Sequence, residues 1–149
     1  MTVKSARRST GRYIPEDHKM PRTKPTYREE DYLKTIQLLK SEKTRISVND
    51  LSKRLKIRAA SVSETLDRLV EAGLVEHPKY GNVELTAEGS ALAEALNTRY
   101  EALLKFLVEY LQVPPMIAET DACGMEHSLS SATLERIKQF VAADKTLPR

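Results

Sequence analysis

Apolar positions recur along this chain at helical spacing in six separate stretches, and two short alternating runs interrupt them. Tyr32, Ile36 and Leu39 share one face of a first helix, with Leu33 and Leu38 beside it. Thr26 opens that helix and Glu29 follows three residues on, the spacing of a capping box. It runs to about Glu42. Ser47 caps a second helix with Val48, Leu51 and Leu55 inside, ending near Lys56, and Arg45 to Ser47 before it is read as a minimal strand. A third helix from Ala59 buries Val62, Leu66 and Leu69, and Gly73 suits its left-handed end. Leu74 to His77 and Val83 to Thr86 read as two strands around a turn at Pro78 to Asn82.

The second half is all helical in pattern. Thr86 caps a long helix from Ala87 to about Gln112, with an apolar stripe from Leu92 through Leu111; Gly89 is read as tolerated near its start. Val113-Pro114-Pro115 ends it, and Pro115 suits the first turn of the next helix, to about Ser128. Ser130 or Ser131 starts a last helix carrying Leu134, Ile137, Phe140 and Val141. Two short helices after a long one are too little for an independent core, so their apolar faces point to a symmetric dimer.

Two short helices joined by a tight turn, the second opening on small hydroxyl residues, form a helix-turn-helix, and the hairpin after it is a wing. The expected fold is mainly α with a small β-wing: an N-terminal winged helix-turn-helix domain plus a C-terminal helical domain. Residues 1–25 form a disordered basic tail, 26–88 the winged domain and 89–149 the helical one. Arg58, Ser61, Ser63 and Glu64 stand at the exposed start of the reading helix. Lys79 at the wing tip is placed to meet phosphate, with Tyr80 on sugar.

Composition narrows the setting. The chain has 149 residues, 30% charged and 40% hydrophobic, with no tryptophan, a net charge of +3 and a pI near 9.0, which permits nucleic-acid binding without demanding it. In the tail, Lys4, Arg7, Arg8, Arg12, Lys19, Arg22 and Lys24 face only Glu16 and Asp17. No apolar run reaches membrane-spanning length, no leader pattern is present, and the single cysteine fits a reducing cytoplasm. Glycine-rich phosphate loops and paired catalytic carboxylates are missing, which argues against an enzyme.

The unusual chemistry lies in Asp121-Ala122-Cys123-Gly124-Met125-Glu126-His127. On a helix, Cys123, Glu126 and His127 stand at i, i+3 and i+4, so thiol, carboxylate and imidazole share a face. Such a set suits a divalent transition metal. By itself such a set is more often a small buried thiol beside a solvated Glu-His pair.

From Thr26 to Ala142 the sequence resembles the diphtheria-toxin-repressor and manganese-transport-regulator family (DtxR/MntR). The resemblance is carried by Glu30-Asp31-Tyr32-Leu33, by Ser61-Val62-Ser63 with Leu69 to Val75, by Leu85-Thr86-Ala87-Glu88-Gly89, and above all by Asp121 to Ser130. It implies a homodimeric, metal-activated transcriptional repressor, cytoplasmic, with double-stranded operator DNA as partner and no membrane or small-molecule substrate. Its implied metal ligands are Asp31, Cys123, Glu126 and His127. Lys34, Tyr100 and Leu104 stand where the manganese branch has donors for a second metal, so one principal site is expected; a second would need other donors, such as Glu119 or Glu101. Cys123 is an iron-branch choice and Asp31 a manganese-branch choice. The expected metal is Fe(II), then Mn(II), with Zn(II) binding in vitro. The alternative is a metal-independent winged-helix module binding DNA or protein.

Overall fold

Side-chain caps set where the helices begin. In a computed structural model that describes residues 24–78 and 81–143, the Glu29 N–H donates to Thr26 Oγ1 at 3.3 Å and the Thr26 N–H to Glu29 Oε2 at 2.9 Å. That reciprocal pair opens α1, Tyr27–Glu42. Ser47 and Asp50 repeat it at 3.1 and 2.8 Å for α2, Val48–Leu55. A short turn leads to α3, Ala59–Glu71. The turn pivots on Lys56, whose φ of 56° is left-handed without the help of a glycine; the Ser52 hydroxyl and backbone bracket it by bonding Ile57.

α3 ends as its glycine predicts. Gly73 has φ 71°, its N–H donates to Val70 O, and the Leu74 N–H donates to Leu69 O, both at 2.9 Å. This is a Schellman cap. The wing is shorter than its sequence pattern: β1 is Val75–Glu76 and β2 Glu84–Leu85, antiparallel with Val75 opposite Leu85. Arg45 to Ser47 is not a strand. Ile46 still docks on the wing, accepting from the Val83 N–H at 3.0 Å.

α4 spans Ala87–Lys105, and the long helix then widens into a π-turn over Phe106–Tyr110 instead of continuing as α to Gln112. Gly89 is required, not merely tolerated. A Cβ there would stand 1.9 Å from Leu74 O, because the start of α4 lies directly on the junction between α3 and the wing. α5 is Pro115–Ser128 and α6 is Ser131–Ala142.

The main core gathers Tyr32, Leu33, Ile36, Leu51, Val62, Leu66, Leu69 and Val83, with Ala93 of α4 joining it. α4 therefore belongs to both halves. Leu103 near its far end and Leu107 of the π-turn pack with Ala118 and Ala122 of α5 and Leu134 of α6. The two short helices share a small second cluster of buried residues with the long helix. Most of the basic tail, Lys79 and Tyr80 of the wing tip, and residues 144–149 lie outside the described residues.

Candidate metal centre

α1 and α5 meet where both carry polar side chains. Asp31 lies in the second turn of α1, and Cys123 and His127 lie one turn apart on α5. One donor atom from each falls within 4.8 Å of the others, the one such group among the described residues. Thiol, imidazole and carboxylate from two separate helices fit a divalent transition metal by number and type. His127 Nε2 is 3.8 Å from Asp31 Oδ1, so that nitrogen faces the cluster.

The other ring nitrogen faces a residue that sequence reasoning had left without a role. Glu30 is 5% exposed, and its Oε2 lies 3.2 Å from His127 Nδ1. The two atoms are within ion-pair distance but not in hydrogen-bond geometry, so His127 Nδ1 is a buried nitrogen without a hydrogen-bond partner, and Glu30 is the carboxylate placed to take that role. Tyr27 packs across the same ring, centroids 4.5 Å apart. The available signal was an acid directly before Asp31: adjacent helical positions differ by about 100°, so one points to the cluster and the other behind it.

Glu126 stands apart from the three. Its two carboxylate oxygens accept from Lys34 Nζ at 3.3 and 3.1 Å. The same ammonium sits 4.7 Å from the centre of the Tyr100 ring. Burial, and then the charges of Glu119, Cys123 and Glu126, push the Tyr100 phenol above its ordinary value, so it remains neutral at physiological pH. Partial burial and the Asp31 carboxylate also lift the Cys123 thiol, with Lys34 pulling the other way. Glu101 and Glu119, the alternative donors for a second metal, line a groove with Leu104, Lys105, Val108 and Pro115, and Glu101 also lines the groove that holds Asp31 and Cys123.

On the opposite side, α3 begins at the surface. Arg58 and Glu64 are exposed, while Ser61 and Ser63 are half-buried. The Ser61 carbonyl accepts from the Thr65 hydroxyl at 3.0 Å. Arg68, further along, is held at 3.1 Å by Glu29. Among the described residues the sequence-predicted DNA contacts therefore share one end of one helix, beside the exposed Lys56 of the turn; Lys79 lies outside them.

Known proteins match in the same two parts. Residues 25–83 match the iron-dependent repressor N-terminal DNA-binding domain, and residues 86–149 match the iron-dependent repressor metal-binding and dimerisation domain. The chain belongs to the iron-dependent repressor family. Membership makes it one of the metal-dependent transcriptional regulators, a class of DNA-binding proteins and not of enzymes. An uncharacterised HTH-type transcriptional regulator of Methanocaldococcus jannaschii is 34% identical over 113 residues, 75% of this chain and 90% of that protein. The transcriptional regulator MntR of Escherichia coli is 37% identical over 111 residues, 74% of this chain and 71% of MntR. A manganese-dependent transcriptional repressor solved with manganese superposes with a TM-score of 0.70 at 30% identity, over 80% of this chain and 55% of that one. The chain thus spans little more than half of that solved repressor. No helix among the described residues is long and apolar enough to cross a membrane.

Proposed function

We propose that this chain is a metal-activated repressor that binds operator DNA as a homodimer and controls metal-uptake genes. Residues 26–88 act as the reading unit and residues 89–149 as the dimerising unit. The observation that carries this reading is the convergence of Asp31, from the DNA-binding part, with Cys123 and His127, from the dimerisation part, within 4.8 Å. A bound divalent metal supplies the positive charge that lets these donors share one centre and so joins the two parts.

The residues do the rest. Asp31 contributes a carboxylate fixed to α1, which packs on α2 and is linked to α3 through the Glu29–Arg68 ion pair. Cys123 would give up its proton on becoming a ligand, and His127 presents Nε2 toward Asp31 while Nδ1 faces Glu30. Glu126 is the fourth donor of the proposed set, and its carboxylate is paired with Lys34. Joining α1 to α5 sets the angle between reading unit and dimer axis, and hence the spacing of two α3 helices on successive major grooves. Arg58, Ser61, Ser63, Glu64 and Lys79 are the proposed DNA contacts.

The thiolate favours Fe(II) over the harder Mn(II). Mn(II) is the competing reading, supported by the manganese named for the solved repressor and by the likeness to MntR. The test is anaerobic: metal analysis of the purified protein, then binding to DNA recovered by genomic selection, with Fe(II), Mn(II) or chelator. Metal-dependent DNA binding that His127→Ala abolishes is the expected result. DNA binding indifferent to chelator and to His127→Ala would return the chain to a metal-independent winged-helix module.

A further inference from the structure

Lys34 stands one turn after Asp31 on α1, at the same border between α1 and α5 as the donor cluster. It is not a solvated surface lysine. Its side chain is 17% exposed, and the Glu126 side chain it binds is fully buried. A buried carboxylate needs a cation or a proton. Here the cation comes from 92 residues away along the chain, and the Tyr100 ring face adds a second favourable surface for the same ammonium. Glu126 directly precedes His127 and follows Cys123 by three residues, so the ammonium sits against the very helical turn that supplies two of the metal donors.

Two cations cannot both claim one carboxylate at contact distance without mutual repulsion. We propose that Lys34 is an internal competitor for the metal: it holds Glu126 in the metal-free protein, and metal binding that draws on Glu126 displaces it. This rests on the metal-site reading above. The ammonium has open space to move into, since Lys34 lines a groove that holds Asp31 and Cys123 and extends to Gln37, Leu38 and Asn97. The long flexible stem of lysine suits such a move. Lys34 thereby raises the metal concentration at which the site fills, and keeps α1 and α5 tied before metal arrives.

The test uses the full chain under anaerobic conditions. Lys34→Met and Lys34→Arg are titrated with Mn(II) and Fe(II) beside the wild type, and their metal-free unfolding temperatures are measured. In parallel, wild-type protein is treated with an amine-modifying reagent with and without Mn(II), and the modified fraction of Lys34 is read by peptide mass spectrometry. Lys34→Met should bind metal more tightly, by on the order of tenfold, and unfold at a lower temperature when metal-free. Lys34→Arg should stay near the wild type. Saturating metal should increase modification of Lys34. Equal or weaker metal binding by Lys34→Met, or Lys34 modification unmoved by metal, overturns the proposal while leaving the metal site standing. Should Lys34→Met fail to fold, the labelling of wild-type protein decides alone. Absence of metal uptake by the wild type overturns the metal-site reading itself, and the proposal with it.

Discussion

The two halves of the chain bury their apolar residues to different degrees. In the winged half, α1, α2, α3 and the hairpin close on a common core in which Leu33, Ile36, Leu51, Val62 and Leu66 have no exposed surface. Past Leu96 the buried set thins to Leu103, Leu107, Ala118, Ala122 and Leu134, with Val141 nearby. Both halves leave large apolar side chains exposed, Tyr27, Leu38 and Val70 in the winged half and Leu111, Met116 and Ile117 in the second, with Met116 the most open at 84%. The core of the reading half is completed by Ala93 and Leu92 of α4. The second half has apolar surface left over, in the region that matches a dimerisation domain. The donor cluster straddles the two, with Asp31 on the tightly packed side and Cys123 and His127 on the looser one. A small ligand can move a loosely held element against a firmly held one at modest cost.

The comparison breaks most directly in the cores. Leu66→Ala should cost about 2–5 kcal/mol of unfolding free energy. Leu134→Ala, in the smaller cluster, should fall at the low end of that range, because neighbours there can relax into the gap. Equal losses in denaturant titration would mean that the halves are equally packed. His127→Ala should leave the metal-free chain folded and weaken metal binding by more than ~100-fold, beyond the range for an outer supporting residue; calorimetric titration measures it. Glu30→Gln keeps the shape but loses the charge behind His127 Nδ1, and should weaken metal by ~10–100-fold. If affinity stays unchanged, Glu30 only packs.

The smallest effect is a pH dependence confined to the winged half. Lys43 and the Ser47 cap hold the Asp50 carboxyl down at about 2, below its ordinary 3.8. The folded value is the lower one, so Asp50 favours folding above its ordinary value, and that contribution is lost as pH falls from near 4 toward 2. Asp50→Asn should flatten this part of the melting-temperature profile. An unchanged profile would assign the acid sensitivity elsewhere.

Much of this architecture is written locally. Thr26 with Glu29, Ser47 with Asp50, Pro115 and Gly73 mark helix ends through contacts within one turn, and each end falls where those residues place it. The positions missed depend on distant neighbours. Gly89 matters because Leu74 O lies against it. Lys56 takes a left-handed turn although nothing in its side chain favours one. The π-turn at Phe106–Tyr110 carries no glycine or proline to announce it.

The candidate site divides the same way. The sequence alone determined that Cys123 and His127 share a helical face, because a fixed pitch makes neighbours of residues four apart. It also carried the family's pattern, including Asp31 as the proposed donor from the first helix. Tertiary structure decided what each acid does. Glu126 shares the turn with Cys123 and His127, yet its carboxylate meets Lys34, while Glu30 reaches the back of His127. That assignment depends on how α1 is rotated against α5, and the rotation is set by apolar contacts that α4 makes with both helices. Periodicity along a single helix contains no term for that angle.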